Sequence, residues 1–234
     1  MLEAIADDIW IAEGPDVSFH GFPYPTRMAV VRLADGGAWL WSPIKLTPGL
    51  VDAVARVGPV AHLVSPNKLH HLFLAEWHRR FPRALVWGPR STISKCPDLT
   101  FAPALDERPP EAWAGEIDQA WFRGSPFMDE VVFFHRASRT AIIADLIQAF
   151  SDEYLRSRWK PWQRLAVGSW ASITLAGGGG TPIDWRLSFL DRRPAKLARK
   201  NVVDWNAERV VIAHGVWQRE GGAAFIERAL SWLA

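Results

Sequence analysis

Apolar residues in the first half of the chain fall into short runs separated by polar punctuation. Asp8 to Ala12, Met28 to Leu33, Ala38 to Trp41 and Val60 to Val64 read as strands, and Ala34-Asp35-Gly36-Gly37 turns the second into the third. This pattern predicts a meander. Between the third and fourth runs the period changes: Leu50, Val51, Val54 and Ala55 recur at helical spacing, behind Thr47 as N-cap and Pro48 at the first helical position. Pro66-Asn67-Lys68 then forms an abrupt loop. A second helix is expected from about Leu69 to Arg80, ending before Pro82, with Arg83 to Trp87 as the next strand.

Cys96 to Gly115 is rich in Pro and acidic residues, keeps no period and reads as a long surface connection. Beyond it, Asp118 to Phe122, Glu130 to His135 and Thr140 to Ala144 are strand candidates, the last two joined by Arg136-Ala137-Ser138-Arg139 as a hairpin turn. Leu146 to about Leu175 reads as helical and Trp-rich, ending in Gly177 to Gly180. Pro194 to Lys200 suggests another helix, Val210 to Ala213 a last strand, and Gly221 to Leu233 an amphipathic helix. Two β-rich halves, each closed by helices, predict two sheets face to face with helices outside. No polar linker divides residues 1–234, so a single domain is expected.

Composition narrows the functional classes. The 49% apolar content is enough for a large core, and 27 basic residues against 25 acidic ones leave no basic, aromatic-interleaved run to track a phosphate backbone. Nucleic acid is therefore not expected as a partner. The N-terminus, MLEAIADDIW, is acidic where a signal peptide would be basic, and no apolar stretch reaches the roughly 18 residues of a membrane span, so a cytoplasmic protein without a membrane partner is expected. The lone Cys96 has no motif partner. Fourteen Trp residues can thicken a core, line a pocket or anchor an interface.

Candidate chemistry gathers at Ser65-Pro66-Asn67-Lys68-Leu69-His70-His71, between a buried strand and a helix, where active sites of α/β proteins collect. The run Gly177 to Gly180 lacks the following Lys-Ser or Lys-Thr of a phosphate cradle and reads as a loop. Neither Gly124-Ser125-Pro126 nor Val167-Gly168-Ser169-Trp170 is a nucleophile elbow.

The strand His62 to Ser65 and the loop after it resemble the metallo-β-lactamase superfamily, whose signature is an apolar strand followed by H-x-H-x-D-H. Overlaying the motif puts Pro66 and Lys68 at its first two His positions, His70 at its Asp and His71 at its final His. Phe122 to Pro126 resembles the family's Pro-Gly-His-Thr loop, with Ser125 at the His. Thr140 to Asp145 resembles the strand that delivers the bridging Asp, and Val210 to Gly215 the strand that ends in the last His ligand, His214. The resemblance implies a four-layer αββα sandwich in which the first-metal ligands are replaced and a second site of His70, His71, Asp145 and His214 survives. That donor set suits one divalent metal, zinc first and iron second. The phrases Asn67-Lys68-Leu69-His70-His71 and Met128 to His135 further resemble an uncharacterised branch of the superfamily, which supplies no reaction.

Two functions follow as expectations. One is a metallo-hydrolase-like protein in which Asp145 and Lys68 take catalytic roles, the Lys68 ammonium standing where the first cation would be and facing an anionic small molecule. The other is a catalytically silent descendant that binds a small ligand or a partner on the same fold. Around this centre His20 belongs to an aromatic loop that either walls the pocket or is scaffold, and Arg27 either fixes an anion or forms a surface ion pair. Asp129 and Glu130 either serve Lys68 or form a solvated edge. His62, His78 and His135 are expected to be structural.

Overall fold

The computed structural model describes residues 1–164 and 178–234. Two sheets stack face to face. The larger runs in the order β1 (Glu3–Ala6), β2 (Ile9–Phe19), β3 (Phe22–Arg32), β4 (Ala38–Trp41), β5 (Val60–Val64) and β6 (Leu85–Trp87). The smaller has β10 (Arg209–Ile212), β9 (Thr140–Ile143), β8 (Glu130–His135) and β7 (Ile117–Phe122). β1 to β4 form an antiparallel meander, but Val60–Val64, expected as its fourth run, pairs parallel with β4, as β6 does with β5, so both need helical crossovers. The first crossover is α1 (Pro48–Val57), capped by the Thr47 side chain on the Leu50 amide, and the second is α2 (Leu74–Arg80).

Alternation along the strands builds the layers. In β4, Trp39 and Trp41 face the smaller sheet, while Ala38 and Leu40 face α1 and α2 with Leu50, Val54 and Trp77. In β8, Val131 and Phe133 meet the tryptophans, while Val132 and Phe134 face the opposite helical layer. That layer contains α5 (Ile183–Ser188), α6 (Arg193–Asp204) and α7 (Gly222–Ala229), numbered after α3 (Arg90–Lys95) and α4 (Asp152–Arg158). The result is the αββα sandwich. Trp39, Trp41, Trp87 and Trp113 lie between the sheets, with Trp39 edge-on to Phe133 and Trp87 edge-on to Trp113. Among the described residues no helix is long and apolar enough to cross a membrane.

Several local expectations are corrected. Leu69 to Phe73 forms turns, and α2 begins only at Leu74. Leu146 to Phe150 is an irregular segment, not the start of a helix, and bridges Gly180 and Gly215. Leu146, Ile147, Ala149 and Phe150 are all buried, so the run reflects a segment enclosed on every side rather than a helical stripe. The helix begins at Asp152 behind Ser151, whose hydroxyl accepts from the Tyr154 amide. Residues 165–177, which hold the remainder of the expected helix through Leu175 and Gly177, lie outside the described residues. Strands β1 and β2 together begin the meander earlier than expected, and the short helices α3 and α5 carry too few apolar repeats to show as periods.

Candidate metal centre

Parallel pairing brings the site together. β9 and β10 run side by side in register, Ile143 opposite Ile212, so the residues just past their C-terminal ends, Asp145 and His214, emerge at one edge. β4 and β5 do the same in the other sheet, bringing Ser42 beside the loop that carries His70. His70 Nε2 lies 3.1 Å from Asp145 Oδ2, and His214 Nε2 lies 3.3 Å from Asp145 Oδ1. The ligand atoms of these three residues all lie within 4.8 Å of one another.

Each imidazole is buttressed from behind. His214 Nδ1 is 2.7 Å from the Pro25 carbonyl oxygen. A carbonyl only accepts, so Nδ1 carries a proton, and Nε2 is the nitrogen turned towards the carboxylate. That contact needs positive charge, either a second proton on the ring or a metal ion beside it. His70 Nδ1 lies 2.6 Å from Ser42 Oγ, and Ser42 holds a left-handed backbone (φ 50°) at this point. Two nitrogen or oxygen donors on a tetrahedral zinc at about 2.0 to 2.1 Å stand about 3.3 to 3.4 Å apart, and the two His–Asp separations are close to this. Hard carboxylate oxygen with two imidazoles, each fixed through its second nitrogen, therefore fits a divalent metal.

Beneath the carboxylate lies a polar network that sequence reasoning missed. Glu130 is 0% exposed; its Oε1 accepts from the Ala144 amide (2.9 Å), and its Oε2 accepts from the Asp145 and Leu146 amides (2.8 and 3.1 Å). The Asn67 side-chain amide donates to Glu130 Oε2 and to Asp145 Oδ2, both at 2.9 Å, while Asn67 Oδ1 accepts from the Leu69 and His70 amides. One Asn thus ties the loop to both acids. Burial and the Asp145 charge push Glu130 up to about 8, against the pull of its donors. Burial works against an ionised Asp145 too, but His70 and His214 hold it well below the usual carboxylate range. The signal was present: Asn67 and Glu130 lie in the two phrases shared with the uncharacterised branch.

Arg27 also differs from expectation. Its buried guanidinium reaches from β3 across to the end of β10, donating to the Ile212 and Gly215 carbonyls (the latter at 2.9 Å), with Nε on Glu13 at 2.8 Å. It clamps the turn that presents His214. Gly215 is required there, because its φ is 108° and a Cβ would lie 2.1 Å from the Ala149 carbonyl oxygen.

His71 stands outside the three-residue group. It sits in the same run of turns as His70 and lines the same cavity, without a ligand atom in the three-residue group. Burial, then the Lys95 charge and His70, push it below the ordinary imidazole value. Of Pro66, Lys68 and Ser125, which the resemblance sets at first-metal positions, only Lys68 lines the cavity. Pro66 gives its carbonyl to the Val131 amide, and Ser125 bonds Ser188 and the amides of Phe127 and Met128. Asp129 is held by Ser91 and Trp121 rather than by Lys68. His20 is at the tip of the β2–β3 hairpin and lines the cavity, as the pocket-wall expectation had it. His62 accepts from Trp87 Nε1, His135 bonds Ser138, and His78 lies on α2, all away from the cavity.

The cavity has a volume of 420 Å³, within the range of small-molecule sites. His70, Asp145 and His214 form part of its wall, and Phe22, Tyr24, Phe150 and Trp159 form an aromatic cluster beside them. Tyr24 meets the His214 ring edge-on at 5.2 Å, and burial raises its hydroxyl well above the usual phenol value.

Residues 6–156 match the family model described as "Domain of unknown function (DUF4336)". No curated protein matches the sequence. Among solved structures, the chain is similar to a metallo-β-lactamase from Pontibacter korlensis (TM-score 0.63, 17% identity, covering 100% of this chain and 98% of that one). It is also similar to one from Erythrobacter litoralis (TM-score 0.64, 16% identity, 99% and 95%) and to FIM-1 from Pseudomonas aeruginosa in a mono-zinc form (TM-score 0.61, 13% identity, 100% and 94%). At these identities the likeness establishes the fold, which is that of the metallo-β-lactamases.

Proposed function

The chain belongs to the DUF4336 family, and we propose that its metallo-β-lactamase fold serves as a mononuclear metal-dependent hydrolase whose ion is held by His70, Asp145 and His214. The observation that supports this reading is the convergence of His70 Nε2, His214 Nε2 and the Asp145 carboxylate within 4.8 Å of one another, each ring held from behind through Nδ1. Zinc suits the donors best and iron second. A divalent ion held there would act as a Lewis acid on a water or on a substrate oxygen. Three protein ligands leave such an ion a position for that oxygen.

The chain's own residues divide the remaining work. Asp145 carries the negative charge of the centre, and Asn67 and Glu130 hold it in place. Neutral His71, on the cavity wall, is suited to accept or return a proton. Lys68 supplies positive charge where the superfamily's first-metal ligands would stand. The second reading is a silent descendant in which protons alone reconcile the two imidazoles with Asp145. The replacement of the first-metal positions by Pro66, Lys68 and Ser125 favours it.

Zinc titration of chelator-stripped protein by calorimetry tests the choice. One equivalent should bind, His70→Ala and His214→Ala should abolish the heat, and His71→Ala should keep it. No heat in the parent protein, or equal binding by His214→Ala, would overturn the metal reading and leave the second.

A further inference from the structure

The cavity beside the centre has walls of uneven chemistry. On one side stand the aromatic cluster and, at the mouth, the exposed side chains of Leu72 (56%) and Phe127 (47%), apolar groups in contact with water. An apolar wall with an apolar lip gains from covering by an apolar ligand. Two ammonium groups line the same space. Lys68 lies with its Nζ 5.6 Å from the Phe127 ring centroid, and Lys95 comes from the end of α3. Among the described residues neither has a carboxylate at ion-pair distance.

The acids around the cavity are differently placed. Asp145 is answered by two imidazoles and Asn67, and Glu130 lies beneath it, wholly buried. Asp184 is the remaining acid on the wall, and one of its oxygens accepts from the Trp185 amide. Lys68 and Lys95, on the wall with no carboxylate at ion-pair distance among the described residues, therefore offer a place for one anionic group. An occupant that matches both features is apolar over most of its length and carries one negative charge.

We propose that the cavity selects a small monoanionic organic acid, its apolar or aromatic body against the Phe22–Tyr24–Phe150–Trp159 wall and its carboxylate at Lys68 and Lys95. This rests on the metal-centre reading above for the end of the molecule that reacts, while the lysine subsite belongs to the chain with or without an ion. Lysine acts here as a point charge, so arginine at both positions should preserve the selection and methionine, which keeps an apolar stem, should remove it.

The test compares two probes of nearly equal size, 4-phenylbutyrate and 4-phenylbutan-1-ol, by calorimetry on metal-free and zinc-loaded full-length protein. The acid should bind about tenfold or more tightly than the alcohol in both forms, corresponding to about 1.4 kcal/mol. Lys68→Met/Lys95→Met should bring the ratio to about one by weakening the acid alone, Lys68→Arg/Lys95→Arg should keep it, and Lys200→Met, on an exposed helix, should leave it unchanged. Equal affinities for acid and alcohol in the parent protein would overturn the proposal. So would a preference that survives in the methionine pair. A preference present only with zinc and indifferent to the lysines would overturn the subsite and leave the metal reading standing, whereas a lysine-dependent preference in protein that binds no zinc would do the reverse.

Discussion

Glu130→Met isolates the role of the buried acid, because the substitution keeps a similar unbranched volume and removes every acceptor. Four donors converge on Glu130: the amides of Ala144, Asp145 and Leu146, and the Asn67 side chain. Asn67 retains Asp145 after the change, so three backbone N–H groups lose their buried partner. Each such orphan costs about 1 to 3 kcal/mol, and the relief of a buried acid offsets part of the sum, which places the net loss near the lower end, at about 3 kcal/mol. With a urea m-value of about 3 kcal/mol/M, the unfolding midpoint should fall by about 1 M at unchanged slope. The abundant tryptophans make intrinsic fluorescence the natural readout. Because Glu130 also fixes the backbone of Asp145, zinc affinity should fall about 10- to 100-fold, the usual range for residues behind metal ligands. A midpoint within about 0.2 M of the parent would refute the reasoning, since it would mean that water or a rearranged segment satisfies the three amides at no cost.

Arg27→Met should weaken zinc binding by about tenfold or more by freeing the turn that presents His214, while Glu13→Ala, which removes only the half-exposed partner of that arginine, should shift stability by less than about 1 kcal/mol; calorimetry and urea unfolding read the two. Gly215→Ala should misplace His214 and lose metal binding, because the added methyl meets the Ala149 carbonyl; retention of parent zinc affinity would show that the turn relaxes freely. Burial holds His62 and His135 below the ordinary imidazole value, so near pH 6.5 the unfolded chain takes up more protons than the folded one. The contribution of these two rings to the stability of the metal-free protein should therefore be complete above about pH 6.5 and decline as pH falls towards the lower folded values, and His62→Gln/His135→Gln should remove that part of the pH dependence in urea midpoints.

Much of the scaffold was legible because its strands are short, apolar and bounded by turn residues. β4, β5 and β8 begin and end where the runs do, and Thr47-Pro48 marks the start of α1. Leu146 to Phe150 misled because continuous burial on all sides resembles a helical pattern when read along one dimension. At the site, the ends of β9 and β10 were readable as apolar strands terminating in Asp145 and His214. Their supports were not. Ser42, Asn67, Glu130 and Arg27 act through partners 28, 78, 63 and 185 positions away, and no local period encodes those meetings. The pair His70-His71 shows the same limit: adjacency in sequence suggested a shared role, whereas the turn between β5 and α2 sends one ring to Asp145 and the other to the cavity wall.

The most direct test of the account is anomalous diffraction at the zinc edge from crystals of protein purified without chelator and supplied with zinc. The account predicts one anomalous peak, bounded by His70 Nε2, His214 Nε2 and a carboxylate oxygen of Asp145, with none beside Pro66, Lys68 and Ser125. A peak at the latter positions, or full-strength diffraction with no peak between the two imidazoles, would contradict it.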